Sequence, residues 1–477
     1  MRYITKTDLL IVARNSSYIM IGIGIMCLIP LLFDIAYFEF NILCFIIPAG
    51  ISGIIGIIFA KYFEKYPPKR MRLKHGMMIS SFAWLWASII GGLVFALATK
   101  ISLIDAVFES MSALTGTGMT MYTNVEILPH SILFFRALEQ WIGGLGVVVM
   151  VIGILTKPGT VSSTLYHSEA REERIKPSIK TTLEKTLEIY VIYTVAGIIL
   201  YLLAGMPLFD SICNTFSIIS TGGMSIKNAN MGFYHDDLIY LITIVLMILG
   251  ATSFLVHYKV IKTKGKSLLE DLQFKIIITV IAFVTLMLYF LSDIIPIELL
   301  FTVVSAITTT GASVAPPHIM AGWPSFVIIC LMCLMLTGGS NGSTVGAIKL
   351  VRMITFFKGI YRHVREILSP EGRVVPVKLH GHKIPEKVIG QAGNFITLYM
   401  MFIMFTWALF CLFGYDPFNS LFAAMSLQGN NGLELGIITP GLNPILKIVS
   451  MFDMWAGRLE IYPVLITLRA GFEIFKR

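Results

Sequence analysis

Apolar blocks of about 20 residues, each long enough for a helix to cross a hydrocarbon layer of ~30 Å, alternate along this 477-residue chain with short basic or polar stretches. The pattern predicts an up-and-down helix pair first, at about 17–36 and 42–62. Four units then repeat one plan: an apolar helix, a polar-opened loop, a second apolar helix and a basic stretch. The predicted helices are 76–98 and 129–155, 187–205 and 237–259, 275–292 and 324–357, and 390–414 and 444–470.

The loops inside the four units superpose when the last glycine of each is taken as a common origin: Asp105 to Gly118, Asp210 to Gly223, Glu298 to Gly311 and Asn419 to Gly432. Each opens with a polar residue suited to cap a helix, and seven residues on carries a serine, at Ser112, Ser217, Ser305 and Ser426. They end in TGTG, STGG, TTTG and GNNG; in the second copy Gly222 and Gly223 both fit the origin. Every unit begins and ends at a basic segment, so it must cross the membrane an even number of times, and its two long helices use up those crossings. The loop must therefore enter from one face and return to it, as a short helix followed by an extended segment. Irregular backbone at that depth has to line a cavity rather than face lipid. Small residues also serve helix packing, but four copies in one register, each between two spans, favour four walls around one hole.

With 56% hydrophobic and 14% charged residues, the chain has more apolar surface than a soluble fold can bury. An all-α polytopic membrane protein is predicted. The first twenty residues lack the pattern of a cleavable signal, so the first block is expected to stay as a helix. The net charge of +9 lies between helices, at 61–75, 157–180, 257–266 and 349–387, and at the two ends. By the positive-inside rule these segments and both termini are cytoplasmic, in a cell-membrane protein, and no nucleic-acid footprint is left. Basic residues of the outer loops are chiefly Lys100, Lys227 and Lys447. Cys330 and Cys333 have the spacing of a metal pair without a second pair or a histidine nearby, and are expected to pack on a helix face. His130, His235 and His318 are expected on the outer surface, and HSEAREER at 167–174 as a charged surface helix or docking face.

Asp105, Asp210, Glu298 and Asn419 would sit at helix N-termini, leaving the partially negative C-terminal ends pointing inward, where they favour a cation. Beyond those ends come Thr115, Gly116, Thr117 and Gly118; Ser220, Thr221, Gly222 and Gly223; Thr308, Thr309, Thr310 and Gly311; and Gly429, Asn430, Asn431 and Gly432. Their carbonyls can replace the water shell of a monovalent cation. None of the four tetrapeptides carries a charged side chain, which argues against a divalent-ion site and fits poorly with an anion pore. Glu434 stands just past the fourth.

The strings SALTGTGMT, SIISTGGMS, FTVVSAITTTGAS and SLQGNNGLELG, with QWIGGLG, LTGGSNGSTVGAIK and WAGRLEIYPVL, resemble the Trk/Ktr/HKT superfamily of potassium transporters, in particular its prokaryotic Trk-type membrane subunit. The likeness runs over essentially the whole chain. It implies four helix/pore-loop/helix repeats with pseudo-fourfold symmetry around one pore, after an N-terminal helix pair. On that plan the divisions are 1–65, 66–160, 161–265, 266–385 and 386–477. It also implies a homodimer, filter glycines at Gly118, Gly223, Gly311 and Gly432, K+ as the permeating ion and no tightly bound cofactor. A cytoplasmic Rossmann-type nucleotide-binding regulatory subunit would use the loops at 157–180 and 349–387. Glycine in all four loops resembles the potassium-preferring members; GNN in place of a threonine run departs from the other three copies.

The block 324–357 is interrupted by Thr337, Gly338, Gly339, Ser340, Asn341, Gly342, Ser343 and Thr344, too many glycines for an unbroken helix. The interruption is either a kink or an intramembrane loop. The resemblance implies a loop that obstructs the pore below the filter, with Lys349 beside it. Arg458, inside the last apolar block, costs at least ~2.5 kcal/mol unless it meets water or a partner. It either faces the pore or pairs with Glu460 or Asp453; the resemblance, through the GRLE string of Gly457 to Glu460, places it beside the gating loop. Arg136 and Glu139 are expected to pair structurally. The expected function is potassium uptake down the electrochemical gradient. No enzymatic site is expected, and with no GxxxxGK[ST] loop any nucleotide dependence must come from the partner. A Na+- or H+-coupled secondary transporter is the alternative.

Overall fold

The computed structural model describes residues 4–64, 71–146, 179–263, 266–370, 375–379 and 382–475. Almost all of the basic segment 157–180, with HSEAREER at 167–174, and the part of the predicted helix 129–155 beyond residue 146 lie outside the described residues.

The leading pair is α1 (Lys6–Leu28), its short continuation α2 (Leu31–Ala36), and α3 (Ile42–Glu64). The first repeat holds α4 (Leu73–Thr99), α5 (Leu103–Thr115) and α6 (His130–Leu145). The second holds α7 (Ile179–Leu203), α8 (Leu208–Ile219), α9 (Asp237–Ala251) and α10 (Phe254–Thr263), and α11 (Lys266–Glu270) leads into the third. The third holds α12 (Leu272–Leu291), α13 (Pro296–Ile307), α14 (Pro317–Met320), α15 (Ser325–Thr337) and α16 (Leu350–Ile367). After a two-residue hairpin, β1 (Lys378–Leu379) with β2 (His382–Lys383), the fourth holds α17 (Glu386–Leu412), α18 (Pro417–Gly429), α19 (Pro444–Arg458) and α20 (Tyr462–Phe475). Among the described residues six helices are long and apolar enough to cross a membrane, counting α1 and α2 as one.

The helices α5, α8, α13 and α18 are short, as the topology demanded. Each packs against the first and second helices of its own repeat and against the second helix of the preceding repeat: α8 on α6, α13 on α9, α18 on α15 and α5 on α19. That order closes on itself, so the four repeats form a ring with pseudo-fourfold symmetry. The leading pair stands outside it, α1 and α3 packing on α4. Ser52 in α3 donates to Met20 O at 2.7 Å and accepts from Trp86 Nε1 at 2.9 Å, which ties α1, α3 and α4 together. On the opposite end Glu39 receives the backbone N–H groups of His130 and Ser131 and the Ser131 hydroxyl. Burial disfavours its charge, but these donors outweigh that and hold the Glu39 carboxyl below its ordinary range.

Two expectations change in the structure. Asp105, Asp210, Glu298 and Asn419 are not the caps: all four stand at the third helical position, because the helices start three residues earlier, after Ser102, Pro207, Ile295 and Asp416. Ser102 and Asp416 supply the side-chain caps, and Pro296 and Pro417 open their helices where no N–H is missed. The acids still face the positive helix end. Secondly, the second helices do not run through. At about 15 residues α9 and α19 reach only ~22 Å, and each is followed by a break: α9 and α10 meet at 106°, and α19 stops before Glu460 and Ile461, which adopt left-handed φ of 57° and 65°. In the third repeat the break widens into the non-helical segment 338–349.

The breaks have a common packing cause. A Cβ on Gly143 would lie 1.8 Å from Leu114 O, on Gly250 2.7 Å from Ile219 O and on Gly457 2.1 Å from Gln428 O. Each of these second helices thus meets the end of its own short helix backbone to backbone, and α9 and α19 break just beyond that contact.

Candidate functional site

The four glycine origins lie in one ring. Gly118, Gly223, Gly311 and Gly432 all have left-handed φ, of 86°, 72°, 75° and 95°, and so do the residues two before them, Gly116, Thr221, Thr309 and Asn430, at 70°, 54°, 49° and 49°. Gly222 does not share this conformation, so the second copy takes its register from Gly223. One residue before each origin, the N–H groups of Thr117, Gly222, Thr310 and Asn431 donate to the carbonyls of Ser112, Ser217, Ser305 and Ser426 at 2.9, 2.9, 3.0 and 2.9 Å. The serine shared by the four strings therefore marks the carbonyl on which each short helix closes, a Schellman-type stop.

Neighbouring loops touch through the same atoms. A Cβ on Gly118 would fall 2.4 Å from Gly222 O, on Gly223 1.9 Å from Thr310 O, on Gly311 2.0 Å from Asn431 O and on Gly432 1.9 Å from Thr117 O. Each origin glycine thus packs on the carbonyl of the next loop, and the fourth returns to the first. No room for a side chain exists at any of the four seams.

Charges surround this ring without entering it. Lys447 pairs with Asp105, and Lys227 lies 3.5 Å from Asp210, so two of the outer lysines neutralise acids of the short helices. Arg136 donates through Nε to Glu109 Oε1 at 2.8 Å and through Nη1 to Ser225 O at 2.9 Å. Glu139, expected as its partner, instead accepts from Ser110 Oγ at 2.7 Å; at three residues from Arg136 it shares the helix but faces α5 at another height. Nothing in the string pointed to Glu109, since a pair between α5 and α6 depends on how the two helices cross.

Segment 338–349 lies directly against the ring on the side of the helix breaks. Gly346 N donates to Thr309 Oγ1 at 3.0 Å, Ala347 N to Gly429 O at 3.1 Å, and Thr344 Oγ1 shares a 3.0 Å hydrogen bond with Thr221 Oγ1. It is a non-helical loop and not a kink: Gly338, Gly342, Ala347 and Lys349 have left-handed φ. Ser340 N donates to Ala251 O and Asn341 N to Gln273 Oε1, while Gly339 O accepts from Leu350 N; Ser343 Oγ closes a turn onto Ser340 O. The stretch from Val345 to Lys349 belongs to the same loop.

Arg458 spans from this loop to the first repeat, donating to Thr344 O at 2.6 Å and to Gly143 O and Gly144 O, with its guanidinium 5.5 Å from the Trp84 ring. The carboxylate of Glu460, offered by sequence as a partner of Arg458, takes Lys349 Nζ at 2.9 Å and Arg352 Nη2. A small, partly open pocket lies beside them, with Trp84, Gly342, Ser343, Lys349 and Arg458 in its walls. Carbonyl rings with a loop and a guanidinium stacked on one side can pass or block a dehydrated cation; among the described residues no cluster of His, Cys, Asp or Glu could hold a metal.

Four re-entrant loops closed into a ring within paired spans define a multi-pass membrane transport protein of the four-repeat pore-loop class. The chain belongs to the TrkH family, described as a cation transport protein, whose profile it matches over residues 50–473. That family consists of transport proteins and not of enzymes. The chain is 37% identical to an uncharacterized cation transporter of Methanocaldococcus jannaschii, over 97% of its own length and 96% of the relative's. It is 30% identical to the Trk system potassium uptake protein TrkG of Escherichia coli, over 93% and 94%. The crystal structure of the potassium transporter TrkH from Vibrio parahaemolyticus superposes with a TM-score of 0.86 at 27% identity, covering 97% of this chain and 99% of that one.

Proposed function

We propose that this chain is a potassium uptake subunit in which K+ passes through a selectivity filter formed by residues 115–118, 220–223, 308–311 and 429–432. The observation that carries the reading is the closed ring of origin glycines, each packed on the carbonyl of the next loop, with no charged side chain in any of the four tetrapeptides. Such a ring stabilises a monovalent cation that has shed its water, and its likeness to the Trk system potassium uptake proteins TrkH and TrkG favours potassium. Inward passage is driven by about 2.3 kcal/mol per charge for each 100 mV. Segment 338–349, including Gly338, Gly339, Ser340, Asn341, Gly342, Ser343 and Lys349, acts with Arg458 as the gate; its hydrogen bonds to three of the four loops support this role.

The remaining parts rest on the resemblance. The subunit works as a homodimer, and a Rossmann-type nucleotide-binding partner docks on the cytoplasmic face; both termini are placed on that face by the positive-inside rule instead. Helix α16, with exposed Phe357, Tyr361 and Arg365, offers part of that face. Coupling to H+ is the second reading, favoured by one observation: Glu139 and Asp453, buried at matching positions four residues before Gly143 and Gly457, each keep a carboxylate oxygen with no hydrogen-bond partner.

The test is ion-replacement current from the purified subunit in bilayers, with and without a matched regulatory partner. A zero-current potential that follows the K+ gradient supports the filter; one that follows Na+ or Cl− sinks it. A potential displaced by a pH gradient at fixed K+ selects the coupled reading.

A further inference from the structure

The fourth loop lacks the residues that brace the first and third. In those, the hydroxyls three and one before the origin share a hydrogen bond, Thr115 with Thr117 at 2.8 Å and Thr308 with Thr310 at 2.7 Å. The first of each pair is also anchored to its own helix, on Met111 O and Val304 O at 2.7 Å. The fourth loop has Gly429 and Asn431 at these places, so no such brace can form.

Its side chains reach outward to other repeats instead. Asn431 Nδ2 donates to Ala306 O, near the end of the third short helix, at 2.9 Å. Asn430 Nδ2 donates to Thr117 Oγ1 of the first loop at 3.1 Å and to Met454 O of α19 at 2.8 Å. Both residues are buried, and both ties cross the two seams the fourth loop makes, where Gly311 packs on Asn431 O and Gly432 on Thr117 O. Thr117 is therefore held by its own partner and by Asn430 together.

We propose that Asn430 and Asn431 are positioning residues whose side-chain amides clamp the fourth loop to the third and first repeats and so set the width of the ring, while only their backbone carbonyls face the ion. This rests on the filter reading above. In a ring of four segments, one that is not braced internally would drift as a unit, and its drift would relax both adjoining seams. Selectivity would fall while the pore stayed open.

Two variants separate the clamp from general damage. Asn430→Gly keeps the left-handed backbone, since Gly116 holds the same place in the first loop, and removes the ties to Thr117 and Met454. Asn431→Leu keeps the volume and removes the donor to Ala306. Each is expected to lower the K+/Na+ permeability ratio on the order of fivefold, the weight of one hydrogen bond, with K+ conductance retained. The double variant Gly429→Thr/Asn431→Thr supplies the hydroxyl pair of the first and third loops; a Cβ at 429 meets only ordinary contacts, Met335 O at 3.4 Å and the Tyr399 hydroxyl at 3.5 Å. It should recover most of the ratio, which a merely structural role would not predict. Zero-current potentials under K+/Na+ gradients read all three, and should Asn431→Leu not purify as a single species, Asn430→Gly decides alone. Unchanged ratios in the asparagine variants, with a changed ratio in Gly118→Ala, overturn the clamp and leave the filter standing. Unchanged ratios in all of them overturn the filter itself.

Discussion

The spacing at the four seams sets a rank order for glycine substitutions. Real Cβ atoms essentially never come within 3.0 Å of another heavy atom of this kind, and the Cβ of an alanine would start at 2.4 Å from the facing carbonyl at Gly118 but at 1.9 Å at Gly223 and Gly432. The opposing oxygen must therefore retreat by 0.6 Å (3.0 − 2.4) in the first case and by 1.1 Å (3.0 − 1.9) in the others. All these positions also carry the left-handed strain, roughly 1–2 kcal/mol for a residue with a Cβ, so strain alone predicts no ranking. The displaced atom is a backbone carbonyl of the next loop, which cannot swing aside as a flexible side chain does. Gly118→Ala or Gly118→Ser should therefore still conduct, with a K+/Na+ ratio lowered about tenfold, equivalent to ~1.4 kcal/mol. Gly223→Ala and Gly432→Ala should lose nearly all K+ flux. Uptake of Rb+ and Na+ into proteoliposomes at matched protein incorporation gives both quantities. Equal effects at all positions would show that strain and not the seam governs, and parental flux in Gly223→Ala would refute the ring as the conduction path.

Three further outcomes follow from the surroundings of the ring. Arg458→Ala, or deletion within 338–344, should raise basal flux: a unit charge ~8 Å from a passing cation opposes it by about 2 kcal/mol at an effective dielectric of 20, some thirtyfold in rate, and unchanged flux in both would remove the gate. Arg136→Met strands the buried Glu109 carboxylate and should cost about 3–5 kcal/mol, read as a lower Tm in detergent, with Glu109→Gln/Arg136→Met recovering part of it; no recovery would mean the pair is not the source. Glu39→Gln should lower Tm near neutral pH. Because the folded carboxyl is held below its ordinary value of 4.5, its contribution is present above that value and lost as pH falls through the folded one, so the gap between parent and variant should close in acid; a gap independent of pH would contradict the Glu39–His130–Ser131 cluster.

What could be read in the string was whatever repeats locally. The shared serine and glycine gave the register of four loops because a Schellman-type stop joins residues five apart, at Ser112 and Thr117 or Ser426 and Asn431, and both partners lie within one short stretch. The even number of crossings then forced those loops back to the face they entered. Caps were misassigned by one turn because Asp105, Asp210, Glu298 and Asn419 recur more regularly than the residues that do cap, one of which is proline and another isoleucine. Pairings across repeats had no local trace. Glu460 with Lys349 and Asn430 with Thr117 are 111 and 313 residues apart, and only the closure of the ring brings them together; within the first repeat, Glu109 with Arg136, 27 apart, depends on how α5 and α6 cross.

The unexpected breaks in the second helices and the ring itself have one origin. A short helix that ends in mid-membrane presents carbonyls which its own stop only partly satisfies, and the second helix must pass that end closely enough to exclude lipid. Gly143, Gly250 and Gly457 allow backbone contact there, yet a helix held that near the axis would run on into the conduction path. The helices break after Ala251 and Arg458 instead; in the third repeat the break widens into residues 338–349, which fold against the loops. One departure from fourfold symmetry thus accounts for the position of the loop under the ring. It also explains why Arg458, on the helix end beside it, can bridge that loop to the first repeat.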